Sequence, residues 1–427
     1  MCCWVDLGAC LEVPVQCGVY CGGPLLETIQ RAGIFPDSKT FVDMPLKADP
    51  EDVLKNFHSL SNHSLDTLLQ FLRENFLPAG SEILPWTPTD FHPNPPFVEK
   101  LQPNYRQFAI DVNNMWQFLG KTLAPDVSIH PTRYSIIPQP KPFIVPGDRF
   151  HEFYYWDSYW IISGLLVCDM QETALGIIQN ALALIRSYGF VPNGARIYYL
   201  NRSQPPLLSE MIRRYLQADA NMDLLEEALP LLLNEYNFWM DGDHAVTFPD
   251  GLVLNRFYSP NDQPRPESFI EDYNHSLGMD EKAAKEFFGH IAAGAESGED
   301  FTSRWFRDAD DIRTIETAQI IPVDLNSFMY KFESNMREFY RMLNRTSPID
   351  FDGAMEKRRE AMDRYLWNEN ANQWYDYSLT NATQILKSYP SNWFPIWSGA
   401  YDNTNRLNDN LLESLLSSGL VQQGGVQ

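Results

Sequence analysis

Residues 146–160 constrain the fold of this chain more than any other segment. Seven of these fifteen side chains are aromatic, and ionisable side chains are interleaved among them. The ionisable residues are Asp148, Arg149, His151, Glu152 and Asp157. A buried strand does not normally carry so many ionisable groups, since each needs a partner once it leaves water, and a solvated loop does not normally expose so many rings. The mixture favours a cleft that binds sugar, where rings cover the apolar sugar faces and charged groups bind the hydroxyls. A buried aromatic core with paired charges is the alternative.

The size and charge of the chain narrow the classes of function. With 427 residues and 49.3 kDa, the chain exceeds the usual single domain, although large closed barrels reach this length as one unit. The net charge of -23 and the pI near 4.7 argue against nucleic acid or an anionic membrane surface as a partner. A neutral small-molecule substrate fits better. The sequence has no run of ~18 apolar residues, so it predicts no membrane span.

The N-terminal residues carry most of the cysteines. Residues 1–20 lack a basic start followed by a continuous apolar stretch, so they predict no signal peptide. Five of the six cysteines lie within the first 21 residues, where Cys17 and Cys21 either pair or stay free, without a zinc-binding spacing. Cys168 is predicted to be a buried apolar filler. Acceptor sequons for N-glycosylation occur at Asn62, Asn201, Asn274, Asn344 and Asn381.

Amphipathic helices dominate the pattern after residue 160. Asp169, with Glu172 three residues on, predicts a capping box, and Gly189 predicts the end of that helix. The inner face of this helix is predicted to contain Ala174, Ile177, Ile178, Ala181, Leu182 and Ile185. A stripe with a period of 3.6 residues predicts another helix over 325–343. Ser347-Pro348 predicts the start of a further helix, and Pro230 predicts a break or kink within 224–239.

Helices therefore form the scaffold, and loops between them carry the candidate site. The prolines at residues 85–103 predict an extended connection between an N-terminal arm and the main body. A stacked α-solenoid remains open on these patterns alone, although no fixed-period repeat is visible.

The aromatic segment has a specific family resemblance. Pro146 to Tyr159 resembles the trehalase pattern Pro-Gly-Gly-Arg-Phe-x-Glu-x-Tyr-x-Trp-Asp-x-Tyr, with Asp148 in place of the second Gly. Three further segments agree with the family in the same order: residues 191–206, 264–268 and 294–301. The resemblance extends from about residue 20 to residue 418 and identifies the chain as a member of the trehalase family.

The resemblance implies an all-α (α/α)6 toroid, here incomplete at the C-terminal end. The expected organisation is an N-terminal segment over 1–45, an arm region with a Pro-rich connection over 46–145, a helical toroid over 146–420 and an atypical tail over 421–427. The implied activity is an inverting hydrolysis of α,α-trehalose to two molecules of glucose. The family also implies a secreted or membrane-anchored glycoprotein.

Family motifs also carry residue roles onto this sequence. Asp300 matches the general acid, which protonates the leaving oxygen in this reaction. The resemblance implies substrate binding by Arg149, Phe150, Trp156, Asp157, Asn193, Arg202, Gln204, Arg265, Glu267 and Gly298. The three arginines are expected to act as hydrogen-bond forks and to pair with Asp157 and Glu267, with purely structural ion pairs as the alternative. Arg196 is expected to support the site.

Two departures from the family bear on activity. Glu299 stands where trehalases have Trp, so we expect a pKa raised by like charge if its carboxylate approaches that of Asp300. The printed sequence also contains neither Gln-Trp-Asp-x-Pro nor a Glu-Lys-Tyr segment, in which the family carries its general base. The alternative expectation is therefore a truncated, catalytically inactive form that at most binds sugar.

Other chemistries have little support in the sequence. His130, His151, His275 and His290 form no metal-ligand spacing. Phosphate-binding Gly loops and serine nucleophile elbows do not occur either. The sequence thus predicts no metal and no cofactor, and its predicted partner is the disaccharide trehalose, with no nucleic acid and no obligate protein partner.

Overall fold

The computed structural model describes residues 14–401 and 409–426. The predictions for a signal peptide and for Cys2, Cys3 and Cys10 fall wholly or mostly on residues 1–13, outside this range. The chain forms two compact units from alternating segments. Unit 1 contains the described part of Met1–Gln204 together with Arg214–Ala220 and Pro260–Gly289. Unit 2 contains Pro205–Arg213, Asn221–Ser259 and the described part of His290–Gln427. The boundaries predicted near residues 46, 146 and 421 stay predictions.

Helices make up most of the structure. In chain order the α-helices are α1 (Cys17–Tyr20), α2 (Pro24–Arg31), α3 (Lys39–Val42), α4 (Pro50–His58), α5 (Leu65–Asn75), α6 (Pro103–Asn114), α7 (Trp116–Leu119), α8 (Pro125–Ile129), α9 (Asp157–Val167), α10 (Gln171–Tyr188), α11 (Leu208–Ala218), α12 (Met222–Met240), α13 (Phe269–Ser276), α14 (Glu281–Glu296), α15 (Val323–Met342), α16 (Phe351–Tyr365), α17 (Phe394–Ser398) and α18 (Asp409–Ser417). Short 3-10 helices span Pro96–Lys100, Pro131–Arg133, Ile197–Tyr199, Gly242–His244, Pro266–Ser268, Ser303–Trp305, Ile312–Thr314, Thr317–Gln319 and Pro390–Trp393.

The strands are short and antiparallel. They are β1 (Ile83–Pro85), β2 (Gly120–Leu123), β3 (Phe143–Ile144), β4 (Ala245–Thr247), β5 (Val253–Asn255), β6 (Ile320–Ile321), β7 (Trp367–Asn368), β8 (Gln373–Trp374), β9 (Tyr377–Ser378), β10 (Thr383–Gln384), β11 (Val421–Gln422) and β12 (Gly425–Val426). In unit 1 the order is β1-β2-β3, with Leu84 opposite Thr122 and Lys121 opposite Phe143. Unit 2 contains β10-β9-β6 and the pairs β4-β5, β7-β8 and β11-β12.

Helix α10 lies in the core of unit 1. Its predicted inner face is confirmed, because Ala174, Ile177, Ile178, Ala181, Leu182 and Ile185 are all buried. Gly189 ends the helix in the left-handed conformation with φ 82°, as predicted. The predicted capping box is wrong. Helix α10 begins at Gln171 after Met170, which makes no side-chain cap, and Asp169 adopts φ 62° outside the helix.

Helices α15 and α16 pack together in unit 2. The predicted stripe over 325–343 is confirmed by α15, whose Phe332, Met336 and Phe339 are fully buried. The predicted start of α16 at Ser347-Pro348 is wrong, because Asp350 is the N-cap and accepts a hydrogen bond from the backbone N–H of Gly353 at 3.0 Å. Of the break or kink predicted at Pro230, the break is wrong, since α12 continues through this residue, and the kink stays a prediction.

The cysteines of the described chain differ in state. Cys17 and Cys21 form a disulfide across α1, with their Cα atoms 4.5 Å apart. Cys168 is a buried free thiol, as predicted, and its Sγ accepts a hydrogen bond from the indole N–H of Trp116. Among the residues described, we find no helix with the length and apolar character that crossing a bilayer requires.

Candidate functional site

A tight turn in unit 1 begins the aromatic segment. Gly147 adopts φ 117° and Asp148 adopts φ 52°, and the carbonyl of Gly147 accepts a hydrogen bond from the N–H of Phe150 at 3.1 Å. Positive φ is accessible to glycine without cost, and Asp is among the side chains that tolerate it best. This conformation explains why glycine suits position 148, and why aspartate can replace it. The turn leaves Arg149 half-buried and Phe150 38% exposed.

Arg149 pairs with a residue that the sequence did not single out. Its guanidinium donates to both carboxylate oxygens of Asp37, with Nε at 2.8 Å and Nη2 at 2.6 Å. This fork lowers the pKa of the Asp37 carboxyl. Arg149 also donates to the carbonyl of Glu267 at 3.3 Å and lies over the ring of Phe150 at 5.6 Å. Asp37 precedes α3, far from the motif in sequence, and no local pattern points to it.

Arg202 and Glu267 form the most enclosed part of this site. Arg202 Nη2 donates to Glu267 Oε1 at 2.7 Å, and Arg202 Nε donates to Asn193 Oδ1 at 2.8 Å. The backbone N–H of Asn193 donates to the carbonyl of Arg202 at 3.1 Å, which fixes the two halves of the segment 191–206 against each other. Two atoms remain without a partner among the described residues although they are buried: Arg202 Nη1 and Glu267 Oε2. Glu267 is therefore a partner of a motif arginine, as expected.

Arg265 completes the charge balance around Glu267. Its Nη1 lies 4.0 Å from Glu267 Oε1, while its Nε and Nη2 each donate to Asp272 at 2.8 Å. Burial raises the pKa of Glu267, but the positive charges of Arg202 and Arg265 outweigh it, so the net shift is downward. Glu267 is thus held ionised. Asp272 was missed by the sequence reasoning, although its position seven residues after Arg265 was a weak signal.

The rest of the first motif lies at the start of α9. The backbone N–H of Trp156 donates to Gln204 Oε1 at 3.0 Å, so the first and second motifs meet here. Asp157 is the first residue of α9 and is half-buried. Trp156 packs edge-on against the half-exposed ring of Trp160, with centroids 5.1 Å apart. We call the predicted binding residues of unit 1 the cradle: Arg149, Phe150, Trp156, Asp157, Asn193, Arg202, Gln204, Arg265 and Glu267.

A buried ion cluster supports the cradle. Its five members are Lys39, Asp43, Glu82, Glu152 and Arg196. Lys39 Nζ lies 2.8 Å from Glu152 Oε1, and Arg196 Nη1 donates to Glu82 at 3.0 Å. Burial raises the pKa of Glu152, but the charges of Lys39 and Arg196 overcome this and lower it to about 2. For Glu82 burial prevails, and its pKa is raised. Arg196 thus lies among buried carboxylates, and its expected role in supporting the site stays a prediction.

In unit 2, the predicted acid lies on a turn after α14. We call residues 297–304 the acid turn. Gly298 adopts φ 72°, a conformation that favours glycine, and Ser297 Oγ accepts a hydrogen bond from the N–H of Glu299 at 3.1 Å. The side chain of Asp300 is exposed. The acid turn therefore presents this carboxyl to solvent or to a ligand.

Arg304 anchors the acid turn through three carboxylates. Nη1 donates to Glu299 at 2.9 Å and to Asp324 at 2.7 Å, and Nη2 donates to Asp324 at 3.0 Å and to Asp376 at 2.9 Å. Nε donates to Asp376 at 2.7 Å. All five N–H groups of the guanidinium are thereby used. Asp376 also accepts from the N–H of Val323, the first residue of α15, at 2.9 Å. Arg304 was missed by the sequence reasoning.

Glu299 points toward this arginine. Burial is the largest influence on the Glu299 carboxyl and raises its pKa, Asp324 and Asp376 raise it further, and Arg304 lowers it, for a net upward shift. The prediction attributed a raised pKa to the neighbouring carboxylate of Asp300, whereas burial is the largest cause of the shift observed here. The carboxylates that contribute are those of Asp324 and Asp376, which share Arg304 with Glu299.

The described residues bring together no group of three or more His, Cys, Asp and Glu side chains that is suited to a metal ion. The cradle contains guanidinium groups that direct hydrogen bonds, and they lie beside aromatic faces. The acid turn contains the accessible carboxyl of Asp300. These are the groups that binding and protonating a sugar require.

Comparison with known proteins identifies the family. The trehalase family model matches residues 33–427. Trehalase from Homo sapiens is 40% identical over 405 residues, which is 92% of this chain and 70% of the relative. Trehalase from Dictyostelium discoideum is 40% identical over 431 residues, which is 96% of this chain and 72% of the relative.

The fold comparison agrees with the sequence comparison. The solved structure of neutral trehalase Nth1 from Saccharomyces cerevisiae matches with a TM-score of 0.55 and 24% identity, covering 67% of this chain and 56% of the solved chain. The expected all-α toroid class is thereby confirmed, as are the expected family and hydrolase class. On these matches and on the motifs that form the cradle and the acid turn, the chain belongs to the trehalase family of glycoside hydrolases.

Proposed function

We propose that this protein is an inverting glycoside hydrolase that cleaves α,α-trehalose into two molecules of glucose. The observation that carries the proposal is the pair of unsatisfied atoms in the cradle, Arg202 Nη1 and Glu267 Oε2. Leaving one buried donor or acceptor atom of a charged group without a hydrogen bond costs about 1–3 kcal/mol, so a ligand that satisfies both atoms binds with a gain. A sugar hydroxyl does this in one step, since it accepts from the arginine and donates to the carboxylate.

The charge of the cradle suits a neutral ligand. Arg149, Arg202 and Arg265 each already pair with a carboxylate: Asp37, Glu267 and Asp272, respectively. Their positive charges are balanced within the protein, which disfavours an anionic substrate, while their planar forks still direct hydrogen bonds. The partly exposed rings of Phe150 and Trp156 supply apolar surface for a pyranose face.

Asp300 is the proposed general acid. An inverting glycosidase protonates the leaving oxygen with one carboxyl and activates water with a second carboxylate, ~6.5–9.5 Å from the first. The exposed Asp300 carboxyl on the acid turn suits the first role. We assign no residue of the printed sequence to the second role, since the Glu-Lys-Tyr segment of the family does not occur in it. A protein of these 427 residues alone is proposed to bind trehalose without turnover, which is the second candidate function.

We also propose an extracellular or membrane-anchored location for this protein. The disulfide between Cys17 and Cys21 is typical of an oxidising compartment. Four of the five sequon asparagines are exposed, and the fifth, Asn201, is buried. The proposed partner is the disaccharide, and we propose no obligate protein partner, metal or cofactor.

Calorimetric titration with trehalose, maltose and sucrose tests the proposal, with glucose release measured in parallel. We expect trehalose to bind tightest, and the Arg202→Lys variant to weaken binding by roughly tenfold or more because a point charge cannot replace the fork. Arg341→Lys on the surface serves as the control and should bind like the parent. Preferential binding of maltose, or equal binding by parent and Arg202→Lys, would contradict the proposal.

A further inference from the structure

Two buried tyrosines connect the ion cluster with the cradle. The hydroxyl of Tyr154 lies 2.6 Å from Glu152 Oε1 in the ion cluster and 2.8 Å from the hydroxyl of Tyr199. The ring of Tyr199 in turn lies under the guanidinium of Arg202, with the carbon at its centre 4.9 Å from the ring centroid. An unbroken series of contacts therefore runs from Glu152 to the arginine of the cradle.

The direction of these hydrogen bonds follows from the charge of Glu152. Lys39 and Arg196 keep that carboxylate ionised, so it accepts the single proton of the Tyr154 hydroxyl. Tyr154 then has only lone pairs left for its second neighbour, and Tyr199 must be the donor between the two tyrosines. Both hydroxyls stay neutral, because burial and the charge of Glu152 raise the pKa of each well above its usual value.

The contact with Tyr199 limits tilting of the Arg202 guanidinium out of its plane, which the other partners of Arg202 do not prevent. Asn193 and Glu267 bind the guanidinium along its edge. Hydrogen bonds along the edge fix the position of the guanidinium, but they resist its tilting out of the plane only weakly. The ring of Tyr199 supports one face and attracts the cation. Hydrogen bonds in series polarise one another, so donation toward the carboxylate makes the ring of Tyr199 richer in electrons and this attraction stronger.

Tyr154 contacts the cradle in a second place. Its ring packs edge-on against Phe150, with centroids 5.3 Å apart. Phe150 is 38% exposed, so its orientation depends on few neighbours. The same buried side chain thereby touches an aromatic member of the cradle and, through Tyr199, supports its most enclosed arginine.

We infer that Tyr154 and Tyr199 are positioning residues for sugar binding, which hold Arg202 and Phe150 in the orientation that a disaccharide requires. This inference rests on the proposed function of the cradle. It assigns to Glu152, in the ion cluster, a part in ligand affinity through Tyr154 and Tyr199, beyond its part in stability.

Tyr198 provides a matched control for the test. It is adjacent to Tyr199 and similarly buried, but its hydroxyl donates to Asp43 at 2.7 Å, on the side of the ion cluster. Tyr198→Phe and Tyr199→Phe each remove one buried hydroxyl and keep the ring. Trehalose dissociation constants are measured by calorimetry for the parent and for Tyr154→Phe, Tyr198→Phe, Tyr199→Phe and Tyr199→Leu, with melting curves to establish that each variant is folded.

We expect Tyr154→Phe and Tyr199→Phe to weaken trehalose binding about 3- to 10-fold, and Tyr199→Leu to weaken it more, because the ring under Arg202 is lost. Tyr198→Phe should bind within about twofold of the parent, although it loses a comparable hydrogen bond. Equal effects of Tyr198→Phe and Tyr199→Phe, or no effect of Tyr199→Leu, would overturn the inference while trehalose binding by the parent still supported the proposed function. A parent that does not bind trehalose overturns both.

Discussion

Replacement of Arg304 by methionine is the most informative perturbation of the acid turn. The guanidinium uses all five N–H groups on Glu299, Asp324 and Asp376. Asp324 and Asp376 are buried, with side chains 4% and 3% exposed, whereas the Glu299 side chain is 30% exposed. Methionine fills a similar volume but donates nothing. The variant thus leaves two buried carboxylates without the cation that they share.

The size of the effect follows from that burial. Removing one partner of a buried ion pair typically costs 3–5 kcal/mol, since the remaining charge is left uncompensated. Backbone N–H groups still serve the two carboxylates, because Val323 donates to Asp376 and Leu325 donates to Asp324. We therefore expect a loss of about 3–4 kcal/mol in the free energy of unfolding of unit 2.

Urea denaturation followed by tryptophan fluorescence measures this loss, since the guanidinium lies 4.5 Å from the ring centroid of Trp305. Arg341→Met is the matched control on α15. Its pair with Asp352 is 66% and 60% exposed, and exposed pairs contribute about 0–1 kcal/mol. An Arg304→Met variant within about 1 kcal/mol of the parent at neutral pH would refute the reasoning.

Three further predictions concern single residues. In a form of the protein that hydrolyses trehalose, Asp300→Asn should lower kcat by about 10²- to 10⁴-fold, because the leaving oxygen loses its proton donor; initial rates of glucose release measure this. The folded state binds the proton of Glu299 more tightly than the unfolded chain does, since its pKa is raised, so stability falls as pH increases from the usual glutamate range to that raised value. Glu299→Gln should abolish this part of the pH dependence of urea midpoints, and an unchanged profile would assign it to other groups. Asp148→Gly should change stability by less than about 1 kcal/mol, because relief at φ 52° is offset by the greater freedom of glycine in the unfolded chain; melting curves with and without trehalose should show binding unchanged.

The sequence predicted those parts of the fold that depend on periodicity. The stripe of α15 and the inner face of α10 were visible because burial of one helix face imposes a period of 3.6 residues. Helix starts were less predictable. Asp169 and Ser347 are both good capping residues by composition, but α10 begins two residues after the first and α16 begins four after the second. Caps depend on the path of the preceding chain, which local sequence does not encode.

The residues of the candidate site likewise fall into two groups, those that the sequence predicted and those that it did not. Residues of the cradle lie in motifs with fixed spacing, so their association was predictable from a resemblance. Asp37, Asp272 and Arg304 were not predicted, although each bonds a motif residue. Asp37 accepts from Arg149 and Asp272 from Arg265 in the cradle, and Arg304 donates to Glu299 in the acid turn. Their partners lie up to 112 residues away, as for Asp37 and Arg149. The pairing of Asp37 with Arg149 follows from tertiary structure, and a single sequence carries no signal for it, whereas the seven-residue spacing of Arg265 and Asp272 gave only a weak one.

The segmented make-up of unit 1 has a consequence for synthesis on the ribosome. Part of this unit, Pro260–Gly289, is translated long after the part that ends at Gln204. The carbonyl of Pro266 accepts from Gln30, 236 residues earlier in the chain, and Ser38 donates to Glu271. At ~5–20 residues per second, the ribosome needs on the order of 10 s to pass from residue 204 to residue 289. During that interval the nascent N-terminal portion exposes the surface that Pro260–Gly289 later covers, and it is the stage at which we expect a chaperone to bind the growing polypeptide.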